Sequence, residues 1–266
     1  MQNIKMNNHL KYRIRRFIKN LVSSILFFGY KIQAQQKIDA NLHALFISEC
    51  TYSPWKADSE FIKLSRKIDG YTLVDLNKQY LAYSYVKQLC KIGVAGDYLE
   101  VGVWRGGLSA LIAMTFEKYT AQHQKRKFYL ADTFLGMPQT NKDKDNFYKG
   151  GELSDTSELV VKNLFNKCGI HNYQILAGIF PNQTSSMLDS NSLAYLHIDV
   201  DIYDSAKSTF EYCWNKVTRN GMVVFDDYGY SSTEGVTYFV NEEVSGLPDA
   251  LVIYNMGGHA IVIKTA

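Results

Sequence analysis

The segment 97–107 (DYLEVGVWRGG) contains the residues whose types and spacing best fit a ligand site. It predicts a short strand, a tight turn and the start of a helix, with Gly102, Gly106 and Gly107 where backbone must approach a ligand closely. The first N–H groups of that helix would attract a carboxylate, and Glu100 would meet an amine. This pair of charges suits the methionine end of S-adenosylmethionine. A strand-to-helix connection without any ligand is the alternative interpretation.

The spacing of these glycines also argues against one class of enzyme. G-x-x-x-G-G differs from the G-x-G-x-x-G pattern of a dinucleotide site, so a nicotinamide-dependent oxidoreductase is disfavoured.

Carboxylates follow three further apolar runs, at positions where an open parallel sheet binds its ligands. The first, Asp132, ends the run 127–132 and is placed to accept both ribose hydroxyls of an adenosine. The alternative for Asp132 is an N-cap of a following helix.

The other carboxylates predict a metal site. Asp199 and Asp201 would face the same side of an extended strand, and Asp226 and Asp227 close another apolar run. Adjacent buried carboxylates repel one another unless a cation or strong donors neutralise them. Asp199, Asp226 and Asp227 therefore indicate an all-oxygen site for Mg²⁺ or another hard divalent cation. Alternatively, Asp204 and one member of the aspartate pair cap helices.

Two histidines lie near these carboxylates in the chain. His197 alternates with core residues and is predicted to be a hydrogen-bonded histidine of the sheet. His259 follows a turn and is a candidate general base.

The elements that must position these residues alternate between strand and helix, which indicates an α/β fold. Expected strands are 98–103, 127–132, 173–177, 194–199, 222–226, 251–254 and 260–264. Expected helices are 107–119, 154–168, 204–217 and 233–245. The turn 255–259 is short enough for an antiparallel hairpin. A mostly parallel, doubly wound sheet closed by such a hairpin is the Rossmann-like plan of class I methyltransferases.

Length and charge suggest three regions. The 266 residues can bury one good core plus an appendage. We expect a basic arm over 1–38, a helical cap rich in aromatic residues over 39–92, and a methyltransferase domain over 93–266. Residues 1–38 carry eight Lys or Arg and no Asp or Glu, which leaves 21 basic and 26 acidic residues in the remainder. That mildly acidic body argues against nucleic-acid binding.

The basic arm also has a helical pattern. Apolar residues recur every three or four positions, at Leu10, Ile14, Phe17, Leu21, Ile25 and Phe28. Such a helix could pack on the body or on a second subunit, and we expect a homodimer; the alternative is an anionic membrane surface. A cleaved signal peptide is a third interpretation. The apolar run is too short to span a bilayer, and the four scattered cysteines favour free thiols in the cytoplasm.

Four ordered segments carry a resemblance to a known family. They are 100–107 (EVGVWRGG), 131–138 (ADTFLGMP), 199–205 (DVDIYDS) and 223–228 (VVFDDY). In order and spacing, over roughly residues 70–245, the chain resembles the macrocin O-methyltransferases. Those enzymes depend on S-adenosylmethionine and Mg²⁺ and methylate sugar hydroxyls of macrolides and related glycosides.

The resemblance implies roles for individual residues. Glu100, Gly102 and Arg105 would lie on the methionine side of the cofactor, Asp132 at its ribose, and Asp199, Asp226 and Asp227 on the metal. The full implied cofactor set is Glu100, Gly102, Val103, Trp104, Arg105, Gly106, Asp132, Thr133, Gly178, Phe180 and Asp199, with Gly178 and Phe180 near the adenine.

Catechol-type O-methyltransferases are related but differ at two positions. They usually have Asn in place of Asp227, and a lysine base in place of Ile202. The base therefore stays open between Asp199 and His259.

The expected function is methylation of a sugar hydroxyl on a glycoside or polysaccharide precursor, in the bacterial cytoplasm or at the inner face of the membrane. A catechol-type enzyme acting on phenols is one alternative. The other is a catalytically silent protein that its basic arm tethers to a membrane or a glycan-assembly complex.

Overall fold

A computed structural model describes residues 8–33, 42–45, 50–121 and 125–266 of the chain. The chain divides into two compact units, Met1–Ser53 and Pro54–Ala266. The predicted arm residues 1–7 and 34–38 lie outside the described residues, as do parts of the expected cap before residue 50.

The first unit contains helix α1 (Asn8–Gln33), which is the helix expected from the apolar spacing of the arm. Many of its described apolar side chains are exposed, including Phe17, Leu21, Ile25 and Phe28. Within the described residues, no helix combines the length and the apolar character needed to cross a membrane.

The second unit is one sheet with helices on both faces. Its strands are β1 (Asp97–Val101), β2 (Phe128–Asp132), β3 (Tyr173–Ala177), β4 (Leu193–Ile198), β5 (Val217–Phe225), β6 (Ala250–Asn255) and β7 (His259–Lys264). Its helices are α2 (Ser59–Ser65), α3 (Leu76–Lys91), α4 (Gly107–Tyr119), α5 (Glu158–Cys168), α6 (Tyr203–Cys213) and α7 (Glu234–Phe239), the last continuing into a π-helical turn.

The sheet order is β3-β2-β1-β4-β5-β7-β6, and β1 to β5 are parallel. β7 runs antiparallel to both β5 and β6, as the turn over 255–259 predicted. The chain order reverses between β1 and β4, so a crevice opens beyond their carboxyl ends, where such sheets bind ligands. This arrangement confirms the expected class I methyltransferase plan.

The strands are apolar on both faces because helices cover both sides of the sheet. Tyr98 packs with α2, α3, α4 and α5, whereas its neighbour Leu99 packs on the other face with α6 and α7. α4 is buried from Gly107 to Phe116, and it begins directly after the glycine turn. The core therefore holds the turn and the strand ends in place.

Several boundaries differ from the sequence expectation. β5 begins at Val217 instead of 222, because Val217 pairs with Leu193 before a register shift. α5 begins at Glu158 instead of 154, since the Ser157 side chain caps it by accepting from Val160 N. β4 ends at Ile198, so Asp199 and later residues lie beyond the strand.

The glycines of the turn are required by protein packing. Gly102 has φ +90°, and a Cβ there would lie 1.7 Å from the carbonyl oxygen of Asp199. Gly107 donates its N–H to the Tyr71 carbonyl at 2.9 Å, and a Cβ would lie 2.5 Å from that oxygen. The sequence argument placed these glycines against a ligand, but the closest neighbours are other segments of the chain.

Gly102→Ala should strongly destabilise the protein, because it adds a backbone collision to an unfavourable φ. Gly151→Ala is the matched control, since Gly151 also has φ +90° but has open space around its Cβ position. We expect a loss of about 1–2 kcal/mol for the control. Gly102→Ala should lose at least about 2 kcal/mol more, measured by urea denaturation. Equal losses in the two variants would contradict the collision.

Candidate functional site

A cleft of about 360 Å³ opens at the carboxyl ends of the parallel strands. It brings together most residues that the sequence singled out: Glu100, Gly102, Val103, Trp104, Asp132, Thr133, Gly178, Phe180, Asp199, Asp226 and Asp227. Three predicted residues, Arg105, Gly106 and His259, do not line this cleft.

Asp132 joins the glycine turn to the end of β2. Its carboxylate accepts from Trp104 N and from Phe134 N, both at 2.8 Å. Burial raises the pKa of Asp132, although these backbone hydrogen bonds act to lower it. No helix follows Asp132, since residues 133–157 form a loop, so the N-cap alternative is wrong. A carboxylate oxygen has more than one lone pair, so Asp132 can still accept from a ligand hydroxyl.

Glu100 lies at the inner end of the cleft and is only 2% exposed. One of its carboxylate oxygens accepts from the hydroxyls of Tyr98 and Ser109. Burial raises the pKa of Glu100 above its usual value, and those hydroxyls and His197 oppose the shift. Such a residue is held rigidly and gains most from a cationic ligand.

Trp104 and Arg105 connect the glycine turn to Asp155, which lies before α5. The Arg105 guanidinium stacks 4.4 Å from the Trp104 ring, and both side chains donate to Asp155 at 2.8 Å. Trp104 has φ +47°, an uncommon conformation for a large side chain. Arg105 therefore connects the turn to the segment before α5, and its charge is directed at Asp155.

The opposite side of the cleft is apolar. Phe180 is 4% exposed and packs edge-on against Tyr212, with ring centroids 5.5 Å apart. Gly178 has φ +138°, and a Cβ there would meet Gln183 and Thr184 at 3.0 Å. This wall suits the flat face of an adenine.

Four aspartates converge beyond β4 and β5. Asp199 and Asp201 follow β4, Asp226 and Asp227 follow β5, and all four line the cleft. Asp201 has φ +61° and donates its N–H to Asp227 Oδ2 at 2.9 Å. Asp201 therefore reaches the cleft because its backbone turns in a left-handed conformation. The sequence pattern predicted instead that it would face the cleft as part of an extended strand.

The pKa values of the aspartates follow from burial and mutual repulsion. Burial, and then the charges of its three neighbours, raise the pKa of Asp199 well above the usual range. Burial, with Asp201 and Asp226, does the same to the pKa of Asp227, and burial raises the pKa of Asp201 to about 6. A cluster that resists ionisation in this way gains free energy from a cation.

Asp226 differs because protein donors surround it. Lys78 Nζ lies 2.7 Å from Oδ2, and His259 Nε2 lies 2.8 Å from Oδ1. Burial opposes ionisation of Asp226, but the two histidines and Lys78 outweigh it and lower its pKa well below the usual range. His259 thus lies behind the carboxylate, with 1% of its surface exposed.

The residues fit a divalent cation. His197, Asp199 and Asp226 offer ligand atoms that all lie within 4.8 Å of one another. His197 Nε2 is buried, lies 3.5 Å from Asp226 Oδ1, and has no hydrogen-bond partner among the described residues. An unpartnered nitrogen beside several carboxylates is a reason to expect a cation there. His197 is a histidine of the sheet, as expected, and its Nδ1 lies 3.1 Å from the Tyr195 hydroxyl.

Sequence reasoning missed Lys78 and Tyr148. Lys78 lies on the buried face of α3, in line with Ala82 and Val86. A lysine at a position where the helical pattern requires an apolar residue could have indicated its role. Tyr148, from the loop before α5, lines the cleft, where burial and the nearby charge of Asp201 raise its pKa. No spacing signal marks it.

Several aromatic residues of the expected cap region lie in the core. Tyr80 and Tyr83 of α3 pack against Phe61 in the core, with ring centroids 5.0–5.5 Å from it. The residues of this region that line the cleft are mainly polar, in the segment 72–75 and at Lys78.

Comparison with known proteins agrees with this geometry. The family model of the macrocin O-methyltransferases matches residues 68–248. A rhamnosyl-tetracenomycin C 4'-O-methyltransferase from Streptomyces olivaceus is 27% identical over 167 residues, which are 60% of this chain and 63% of that protein. The mycinamicin III 3''-O-methyltransferase from Micromonospora griseorubida is 27% identical over 169 residues, 60% of this chain and 65% of that protein. The match thus spans a little under two thirds of these relatives.

Among solved structures, the O-methyltransferase NovP superposes with a TM-score of 0.61 at 23% identity. The superposition covers 74% of this chain and 83% of that one, and it shows a shared fold. The family model covers more than half of the chain and includes the glycine turn and the four aspartates. The chain therefore belongs to the macrocin O-methyltransferase family.

Proposed function

We propose that this protein is an S-adenosylmethionine-dependent, divalent-metal-assisted O-methyltransferase that acts on a sugar hydroxyl of a glycoside or polysaccharide precursor. One observation carries the proposal: the glycine turn with Glu100 and Asp132 opens into the same cleft as the four aspartates. A methyl donor and a metal-held hydroxyl would therefore meet in one cavity. Membership of the family and the names of the relatives support the same reaction.

S-adenosylmethionine would supply an activated methyl group, and the protein would bind and orient it. Glu100 is placed for the amino group and Asp132 for the ribose hydroxyls. Phe180 provides an apolar surface for the adenine. Trp104 and Gly102 shape the turn between them, and Arg105 and Gly106 act from outside the cleft by holding that turn.

Mg²⁺ would be held by Asp199, Asp226 and Asp227, with His197 adjacent, and would supply Lewis acidity toward an acceptor hydroxyl. Asp199 lines the cleft beside the proposed cation, where a carboxylate oxygen can accept the proton of an acceptor hydroxyl. We therefore assign proton removal to Asp199. His259 is separated from the cleft by Asp226, whose carboxylate it orients, so we give it a positioning role.

For the acceptor we propose a sugar over a phenol. The position of the catechol-type lysine base is Ile202, which is completely buried.

We further propose that the protein is a homodimer, in which the apolar sides of two α1 helices pack together, and that it is located in the cytoplasm. The alternative is that α1 binds an anionic membrane surface. Sedimentation of the wild type and of a Leu21→Asp, Ile25→Asp variant tests this, because loss of a dimer supports pairing through α1. A monomeric wild type that binds anionic vesicles would favour the membrane.

Asp227→Ala should lower methyl transfer by at least about 100-fold, because it removes one oxygen ligand of the cation. Binding of S-adenosylmethionine should be largely unchanged, since Asp227 belongs to the aspartate cluster. The assay follows labelled methyl from S-adenosylmethionine into nucleotide sugars, glycans and diphenols. Excess chelator should abolish wild-type transfer, and Glu158→Gln, a partly exposed change on α5 outside the cleft, is the control. Full activity in chelator would remove the metal from the mechanism, and transfer only to diphenols would favour the catechol-type alternative.

Glu100→Gln should weaken binding of S-adenosylmethionine by roughly 10- to 100-fold, because a hydrogen bond to a buried charge contributes about 1.5–3 kcal/mol. Isothermal titration measures the affinity directly. Glu117→Gln, at the exposed end of α4, should bind like the wild type. Unchanged affinity of the Glu100 variant would place the methionine end elsewhere.

A further inference from the structure

A lysine side chain enters the aspartate cluster from a distant part of the chain. Lys78 lies in the first turn of α3, and its Nζ donates to both Oδ2 and the backbone carbonyl of Asp226, each at 2.7 Å. The residue is 5% exposed, and its ammonium lies 4.7 Å from the centroid of the Tyr230 ring. Lys78 thus lines the cleft beside the aspartates, and it has no part in the roles assigned above.

Lys78 is charged and closely paired. Its ammonium forms an ion pair with the Asp226 carboxylate at 2.7 Å, and both partners are buried. Lysines are almost never buried without such a partner. Within the cluster, one ammonium faces four carboxyl groups, so it can balance the charge of only one of them.

The position of this ammonium conflicts with full use of Asp226 by a metal. Lys78 occupies Oδ2 and His259 occupies Oδ1, so neither oxygen is free of a protein donor. A divalent cation and an ammonium on the same carboxylate repel each other strongly at such short range. Ligand atoms of His197, Asp199 and Asp226 lie within 4.8 Å of one another, which provides a place for the incoming cation.

We propose that Lys78 is a tethered counter-ion of the aspartate cluster, which a divalent cation must displace from Asp226 when it binds. Metal binding is then coupled to α3, because Lys78 connects the start of this helix to the end of β5. The segment 72–75, which lines the cleft directly before α3, loses that anchor when the metal enters. This inference rests on the metal site of the proposed function.

The test compares Mg²⁺ binding by Lys78→Met and by the wild type, using isothermal titration without the methyl donor. Removing the competing charge should tighten Mg²⁺ binding by about 10- to 100-fold, the usual range for coupling between two ligands. In chelator, Lys78→Met should melt at a lower temperature than the wild type, because its carboxylates have lost the lysine ammonium. Added Mg²⁺ should remove this difference in melting temperature. Lys91→Met, an exposed change on the same helix, should match the wild type in both measurements.

Equal or weaker Mg²⁺ binding by a folded Lys78→Met protein would overturn the proposal. A second measurement uses the wild type and does not depend on the variant folding. The rate of acylation of the Lys78 amine, followed by mass spectrometry, should rise when Mg²⁺ is added to the metal-free protein. An unchanged rate at saturating Mg²⁺ would also overturn the proposal.

These outcomes separate this inference from the proposed function. Mg²⁺ binding of equal strength in the wild type and Lys78→Met, with methyl transfer intact, overturns the role of Lys78 alone. Methyl transfer by a protein that binds no Mg²⁺ overturns the metal role and this inference together.

Discussion

The organisation of the site depends on the concentration of negative charge where β4 and β5 end. Four carboxylates in a partly buried cleft repel one another and lose hydration, so they require compensation. Lys78 and the two histidines provide it for Asp226, whose pKa is lowered, but not for Asp199 and Asp227, whose pKa values are raised. Because Asp199 and Asp227 lack a compensating positive charge, the cluster is suitable for a cation.

The second constraint is the close approach of β1 to β4. The Gly102 backbone lies against the Asp199 carbonyl so tightly that no side chain fits between them. This contact places the glycine turn, where we propose that the methyl donor binds, directly beside the first aspartate of the cluster. Catalysis of a direct transfer depends on such proximity, because the two reactants must be held in contact in a fixed orientation. Gly102 therefore permits the turn and also sets the distance between the turn and the aspartate cluster.

Much of the fold was predictable because its signals are local. Apolar runs of five to six residues mark the parallel strands, and β3 was predicted to the residue, at Tyr173–Ala177. Errors fell at ends decided by side-chain caps or by pairing, such as Ser157 before α5 and Val217 at the start of β5. In the site, the carboxylates were predictable because each closes an apolar run. Their partners were not, since Lys78 is 148 residues from Asp226 in the chain.

The sequence by itself determined the order of strands and helices, the family, and the residues that meet at the carboxyl edge of the sheet. These depend on periodicity and on short motifs, which act over a few residues. Only the tertiary structure decided which charges face one another. It directed Arg105 toward Asp155, placed His259 behind Asp226, and brought Lys78 of α3 into the aspartate cluster. Coulombic interactions depend on distance and burial in space, and neither quantity can be read from separation along the chain.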